Sequence, residues 1–303
     1  MKNTKDMFEV SANLKNIFYE KLQDEDFKRL VDSLKIDYEK LYNHTSGLEN
    51  SKKEFNNCLN CQGLNFCKNE LKGYRNIPVV DNLDISFTYE ACKYQNTFLK
   101  KNEYKKNLDL YEMPENLKNA RMKDIYVDDK SRVEVIKYLD KYYKNYPSKD
   151  LKGLYLHGNF GSGKTYLIAA LFNELAKKGV KSAIVYFPEF LRTLKASFQK
   201  SDSLEASFSE KYEYIKKAEL LLIDDIGAEN VTLWGRDEIL GTLLQYRMNE
   251  NLPTFFTSNL NIEELESHLA ISNKKEDKVK ARRILERIKC LTLDMELIGK
   301  SRR

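Results

Sequence analysis

The residues with the clearest chemistry form a glycine-rich segment in the middle of the chain. Residues 158–165 fit the pattern G-x-x-x-x-G-K-[ST], whose glycines let a backbone curl around phosphates without a Cβ clash. Lys164 would bring a positive charge to the β- and γ-phosphates, and the Thr165 hydroxyl is a suitable Mg²⁺ ligand. The segment predicts a nucleotide-binding phosphate loop made of Gly158, Asn159, Phe160, Gly161, Ser162, Gly163, Lys164 and Thr165.

The sequence on either side of this loop supports that interpretation. An apolar run at residues 154–157 precedes the loop and is typical of a buried strand. Apolar residues at helical spacing follow it from Leu167 to Leu175, and Gly179 stands where a C-cap glycine ends a helix. Strand, loop and helix therefore occur in the required order. The alternative is a plain Gly/Ser turn beside an ordinary lysine.

Two carboxylates follow a later apolar run, residues 220–223. In a parallel sheet these acids would stand at the carboxyl end of a strand beside the phosphate loop. Asp224 would hold Mg²⁺ through water or Thr165, and Asp225 would polarise the attacking water as a general base. Asn259, at the end of the next apolar run, would orient that water. A strand that merely ends in polar residues is the alternative.

The elements that must position these side chains alternate along the chain. Helical patterns separate the apolar runs, which predicts a parallel sheet covered by helices on both faces. The sequence thus predicts an α/β P-loop ATPase domain at residues 126–303 with a five-stranded parallel sheet. Its strands would be residues 154–157, 183–187, 220–223, 254–257 and 291–293.

Four of the five cysteines cluster ahead of this domain, at Cys58, Cys61, Cys67 and Cys92. Closely spaced thiolates in a reducing compartment are typical of a structural Zn²⁺ site with four tetrahedral ligands. An iron–sulfur cluster, a redox-active C-x-x-C pair and four unrelated thiols stay open as alternatives. His44 is a weaker candidate to replace one cysteine. We predict a structural zinc site in this part of the chain.

Length and composition limit the possible number of domains and the class of protein. A chain of 303 residues has room for two domains, and an apolar stripe at helical spacing predicts a helical zinc-binding domain at residues 1–95. Residues 96–125, rich in Lys, Asn and Tyr, predict an exposed linker. No apolar run approaches the ~18 residues of a membrane span, and no secretory signal is visible, so we expect a cytoplasmic location. A net charge of +5 permits nucleic-acid binding without requiring it.

Several segments together resemble the AAA+ ATPases of the DnaC/DnaI helicase-loader branch. The phosphate loop, residues 222–227 and residues 257–259 occur in the order and spacing of that branch. The four cysteines ahead of them, the run at residues 282–288 and the basic segment at residues 299–303 make the resemblance more specific. It covers nearly the whole chain and implies an AAA+ domain behind a small zinc-binding domain.

The resemblance implies a role as well as a fold. Residues 1–95 would bind the replicative hexameric DNA helicase, and ATP would control its placement on single-stranded DNA together with other primosome proteins. Self-association of the ATPase domain would bring Arg283 into a neighbour's site as an arginine finger, and Asn259 would be sensor 1. A pairing of Arg283 with Glu286 or nearby acids is the alternative. The sensor 2 charge maps to Lys300 or Arg302.

The DNA surface of that branch implies four further residues. Phe198 and Trp234 would stack on bases, while Lys195 and Arg236 would contact phosphates. The alternative is that Phe198 lies in the core and Trp234 anchors a loop.

Two features modify these expectations. Asp225 stands where many AAA+ proteins carry Glu, and its shorter side chain predicts slow, partner-regulated hydrolysis. Only about ten residues follow the last predicted strand, so we expect no C-terminal helical lid. A transposition helper ATPase and a nucleotide-gated adaptor that hardly hydrolyses ATP are the alternatives to a helicase loader. A kinase is disfavoured because no phosphoacceptor pocket is identifiable.

Overall fold

A computed structural model of the chain describes residues 4–81, 84–127, 130–148, 150–197 and 202–301. The chain divides into two compact units, Met1–Glu103 and Tyr104–Arg303. No helix among the residues described is long and apolar enough to cross a membrane.

The N-terminal unit is helical at first and ends in a hairpin and a helix. Asp24 begins the second helix by accepting the Phe27 N–H, and Phe18, Phe27 and Leu48 pack in the core of the unit. The antiparallel hairpin was not predicted, because its strands lack a long apolar run. The elements are α1 (Thr4–Lys21), α2 (Glu25–Ser33), α3 (Tyr38–Leu41), α4 (Thr45–Leu59), β1 (Tyr74–Asp81), β2 (Asp84–Ala91) and α5 (Lys93–Asn102).

The C-terminal unit is built on a parallel sheet of six strands, in the order β3-β5-β6-β7-β4-β8. The predicted α/β class is confirmed. The five predicted strands are also confirmed, and they correspond to β4 to β8. The predicted strand number is wrong by one. The strands are β3 (Leu108–Tyr111), β4 (Gly153–Gly158), β5 (Ser182–Tyr186), β6 (Leu220–Asp224), β7 (Thr254–Ser258) and β8 (Thr292–Leu297).

The sixth strand, β3, corrects the prediction of an exposed linker at residues 96–125. It pairs with β5 at the edge of the sheet, and Leu108 is fully buried. Ala120 and Ile125 are also buried in the same core. Since β3 has four residues and only one of them is buried, its sequence carries too little apolar pattern to be recognised.

Helices cover both faces of the sheet because its strands bury alternate residues on opposite sides. Leu154 and Leu156 belong to one core cluster and Tyr155 to the other. A π-helical segment, Trp234–Leu240, runs directly into α10. The helices are α6 (Lys130–Asn145), α7 (Lys164–Ala176), α8 (Phe187–Ser197), α9 (Asp202–Lys217), α10 (Gly241–Asn249), α11 (Ile262–Leu269) and α12 (Lys275–Leu291).

Candidate nucleotide-binding site

The phosphate loop connects the end of β4 to the start of α7. Gly158 has a φ of 136°, and a Cβ there would lie 2.2 Å from the Leu297 carbonyl oxygen, so only glycine fits. Gly163 has a φ of 86° and caps α7. The loop therefore ends at a helix N-terminus, where backbone N–H groups and the helix dipole attract anions.

Lys164 links this loop to the far side of the site. Its Nζ donates to the carbonyl oxygens of Gly158 at 2.8 Å and Asn159 at 2.9 Å, and to Asn259 Oδ1 at 2.9 Å. The Asn259 amide in turn donates to Asp225 Oδ1 at 2.8 Å. The lysine, the amide and the second acid of the predicted site are thus connected directly.

Asp224, the last residue of β6, is buried and bonded to two hydroxyl groups. Thr165 Oγ1 donates to its Oδ1 at 2.6 Å, and Thr257 Oγ1 donates to the same oxygen at 2.7 Å. Burial raises the pKa of Asp224 above its usual value, whereas the two hydroxyl donors act in the opposite direction. Asp224 is therefore placed beside Thr165, as a magnesium site at this position requires.

Asp225 adopts a left-handed backbone with a φ of 57°, which non-glycine residues rarely do. The Thr257 hydroxyl accepts its N–H at 2.9 Å, and Asn259 binds its carboxylate. Strained backbone of this kind persists where the surroundings impose it, and it concentrates at functional sites. The turn directs Asp225 toward Asn259 instead of continuing the strand.

A cleft of about 900 Å³ lies over these groups. Phe160, Lys164, Asp224, Asp225 and Asn259 line it. Several other lining residues come from the segment that was predicted to be a linker, including Met113, Pro114, Leu117 and Ile125, and Tyr126 follows directly after it. The segment lacks a motif, so its place in the site could not be recognised from the sequence.

Arg132 is a further residue that the sequence analysis missed. It is almost completely buried and lies on α6. Its Nη1 donates to the Ser162 carbonyl oxygen at 2.6 Å, and its Nε donates to the Tyr126 carbonyl oxygen at 2.9 Å. Arg132 thereby connects the phosphate loop to Tyr126, which also lines the cleft. A single arginine in an amphipathic helix gives no sequence signal for such a role.

The arginines of α12 differ in their surroundings. Arg283 is exposed and makes no hydrogen bond or ion pair with any residue that the structure describes. Arg282 lies 3.4 Å from Glu266, so it does not pair with Glu286. Arg287 donates to the Gly241 carbonyl oxygen at 2.9 Å. Of the three, Arg283 is the one whose guanidinium stands available to another molecule.

The two sensor 2 candidates lie near the end of the chain. Lys300 is exposed, and its neighbour Ser301 stands close to Gly161, where an added Cβ would lie 2.5 Å from the Ser301 Oγ. The segment after β8 therefore runs beside the phosphate loop. Arg302 falls outside the described residues.

The structure gives different outcomes for the four residues that were predicted to contact DNA. Arg236 is only 1% exposed and binds Asp237, Asp277 and the Leu269 carbonyl oxygen, so the prediction that it contacts DNA phosphates is wrong. An interior position on a π-helical segment could not be foreseen from its basic charge. Trp234 is half-buried against the core, and Lys195 is exposed. Phe198 lies outside the described residues.

The four clustered cysteines line one cavity of about 270 Å³ in the N-terminal unit. Three of their sulfurs accept N–H groups: Cys58 from the Asn69 side chain, Cys67 from the Gly73 backbone and Cys92 from the Gln95 backbone, at 3.3 to 3.5 Å. Burial raises the pKa of the Cys58 thiol. All four cysteines are free thiols.

The arrangement is not a formed metal site. Across the described ranges, no group of three or more His, Cys, Asp or Glu side chains is placed to hold a metal ion. His44 is not among the residues that line the cavity, and its ring lies beside Phe87, with the ring centroids 6.2 Å apart. The suggestion that His44 replaces a cysteine ligand is therefore wrong.

The site combines the phosphate loop, the acidic end of β6 and Asn259 directly after β7, all on one parallel sheet. These features define a P-loop ATPase of the AAA+ class. A model of the AFG1-like ATPase family matches residues 90–298. The replicative helicase loader DnaI of Bacillus subtilis is 38% identical over 266 residues, which cover 87% of this chain and 82% of that protein. The chain therefore belongs to the AFG1-like ATPases and to the DnaI family.

Solved structures agree with this assignment. A crystal structure of DnaI is 45% identical, with a TM-score of 0.58, and the match covers 66% of this chain and all of that one. A putative primosome component from Streptococcus pyogenes serotype M3 is 35% identical, with a TM-score of 0.57, over 67% of this chain and all of that one.

Proposed function

We propose that this protein loads the replicative hexameric DNA helicase onto single-stranded DNA during primosome assembly, in a step controlled by ATP. The observation that supports the proposal is the linked set in the cleft, in which Lys164 donates to the Asn259 side chain and Asn259 donates to the Asp225 carboxylate. The loading role rests on the relative in Bacillus subtilis that is named for it.

The residues of the cleft divide the chemistry of ATP hydrolysis among them. Lys164 and the loop N–H groups bind the β- and γ-phosphates, while Thr165 and Asp224 would hold Mg²⁺, which would neutralise charge on the phosphates. Asp225 withdraws a proton from the attacking water, and Asn259 orients that water. Because aspartate is one methylene shorter than glutamate, hydrolysis is slow until a partner adjusts the site.

The two units bind different partners. The N-terminal unit binds the helicase, and the C-terminal unit self-associates and contacts single-stranded DNA, through Lys195, Trp234 and Phe198. Lys300 or Arg302 supplies the sensor 2 charge beside the phosphate loop. The protein acts in the cytoplasm with other primosome proteins.

A loading assay tests the proposed function. The helicase is mixed with circular single-stranded DNA, which a closed ring cannot thread, and DNA-bound helicase is measured with and without this protein. We expect loading to require the protein and ATP. Equal loading in its absence would contradict the proposal. ATP turnover by this protein without the helicase, measured with and without single-stranded DNA, separates a hydrolysing loader from an adaptor that only binds ATP, and the short Asp225 side chain favours a slow rate.

Zinc binding by the four clustered cysteines is the second part of the proposal. Its support is the chemistry of four thiols around one cavity, three of them accepting N–H groups that would stabilise thiolates. A structural zinc ion adds folding free energy on the order of 10 kcal/mol, which a small unit such as this one can use.

Replacing Cys67 with Ser should release the zinc and unfold the N-terminal unit, because three thiolates bind the ion much more weakly than four. Zinc content by atomic absorption and the helical circular dichroism signal are the measurements. The matched control is Cys290→Ser, which removes the exposed cysteine on α12 and should keep the zinc. Wild-type protein purified without zinc, or Cys67→Ser with full zinc, would refute the site.

A further inference from the structure

One buried hydroxyl contacts both acids of the cleft. Thr257 lies in β7, next to β6 in the sheet, and is 2% exposed. Its Oγ1 donates to Asp224 Oδ1 at 2.7 Å and accepts the Asp225 N–H at 2.9 Å. A threonine hydroxyl has one proton to donate and lone pairs to accept with, so one side chain can make both bonds at once.

The two bonds act on different parts of the site. The bond to Asp224 falls on the oxygen that also accepts from Thr165, so two hydroxyls fix the rotation of one carboxylate. The Thr257 hydroxyl also accepts the backbone N–H of Asp225, whose backbone is left-handed with a φ of 57°. A single oxygen atom therefore bonds both to the carboxylate of Asp224 and to the backbone of Asp225.

Thr257 also closes a ring of hydrogen bonds around the site. Lys164 binds Asn259, Asn259 binds Asp225, and the Asp225 N–H binds Thr257, which binds Asp224. Asp224 in turn accepts from Thr165, the neighbour of Lys164 in the chain. Within the ring, Thr257 bonds directly to both acids.

We propose that Thr257 is the positioning residue for magnesium in this site, acting through Asp224, and that its hydroxyl sets the magnesium concentration at which the protein uses ATP. The inference rests on the proposed ATPase function and deepens it. Thr257 acts through the carboxylate of Asp224, to which its hydroxyl donates. Groups that orient a metal-binding carboxylate commonly change metal affinity or activity by 10- to 100-fold when they are removed.

Thr257→Val tests this inference, because valine keeps the shape of threonine and loses the hydroxyl. We expect the magnesium concentration for half-maximal ATP turnover to rise by about 10- to 100-fold. Binding of a fluorescent ATP analogue in EDTA should stay as in the wild type, since Lys164 and the loop are untouched. Thr257→Ser, which restores the hydroxyl, should restore the magnesium dependence.

The matched control is Thr292→Val, which removes a buried hydroxyl from the same sheet. The buried Thr292 hydroxyl donates to the Ile288 carbonyl oxygen, 2.7 Å away. If both variants only lose stability, their melting temperatures will fall. Their magnesium dependence will then stay as in the wild type. A magnesium titration of Thr257→Val that coincides with that of Thr292→Val would overturn the inference, as would failure of Thr257→Ser to rescue.

Different results would contradict the proposed function and this inference. Wild-type protein that binds the analogue but hydrolyses no ATP would contradict the ATPase, and the magnesium dependence of Thr257→Val would then be measured by analogue binding. Wild-type protein that binds no nucleotide would overturn both.

Discussion

Replacing Arg283 with Ala will lower ATP turnover of the assembled protein by about 10³-fold or more, because an arginine finger supplied to a neighbour's site contributes 10³ to 10⁵ in rate. ATP binding by the single chain will not change, since Arg283 lies on α12 and does not line the cleft. Steady-state turnover at saturating helicase and DNA, after subtraction of the turnover of the helicase and DNA alone, measures the first effect, and equilibrium ATP binding measures the second.

The surroundings of Arg283 support this expectation. Helix α12 buries Ile284, Leu285 and Ile288 against the core and leaves Arg283 exposed. Arg287, one turn further on, is fixed to the Gly241 carbonyl oxygen. The helix is thus anchored by its neighbours, and Arg283 can reach a second molecule without breaking a hydrogen bond or ion pair to any residue in the described part of the chain.

Arg282→Ala is the matched control for Arg283→Ala. It removes the adjacent arginine, whose partner Glu266 is exposed enough that the pair contributes at most about 1 kcal/mol. The control should retain turnover. A mixture of Arg283→Ala with Lys164→Ala should regain activity, because the second variant offers a finger to the intact site of the first. Arg283→Ala with wild-type turnover in the assembly would refute the finger.

Replacing Lys164 with Ala will abolish ATP-dependent loading and lower ATP affinity by about 100-fold. Hydrogen bonds from a charged donor contribute about 1.5–3 kcal/mol each, and a loss of ~3 kcal/mol corresponds to roughly 100-fold in affinity. Lys164 Nζ already has three acceptors, of which Asn259 is the most distant in the chain. Isothermal titration with ATP and magnesium measures the loss.

Lys177→Ala provides the comparison for Lys164→Ala. Lys177 caps the other end of α7 and pairs with Glu174 on the surface, so its removal changes net charge equally without touching the cleft. Zinc content should be the same in both variants, since the cysteines lie in the other unit. Wild-type ATP affinity in Lys164→Ala would show that phosphates bind elsewhere.

The sequence was most informative where chemistry requires fixed offsets along the chain. The glycines, Lys164 and Thr165 must follow one another because a single loop wraps the phosphates, and Asp224 must end a strand beside them. Asn259 directly follows the next strand of the sheet, so parallel pairing alone brings it to the same edge. These positions could be predicted, and the structure brings them together.

Features that depend on tertiary packing could not be predicted. Strand β3 becomes recognisable only beside β5, and the wall of the cleft around Tyr126 has no pattern of its own. Arg236 resembles a surface cation until its burial among Asp237 and Asp277 is known. Arg132 acts on the backbone of Ser162, and a backbone acceptor leaves no trace in the sequence.

The most direct test of the account is a structure of the protein with magnesium and a non-hydrolysable ATP analogue. We expect the triphosphate to lie along residues 158–165, with Lys164 moved from Asn259 Oδ1 to the β- and γ-phosphates, and with magnesium between Thr165 and Asp224. An analogue bound outside the cleft, or a cleft in which Asp224 and Asp225 face away from the phosphates, would contradict it.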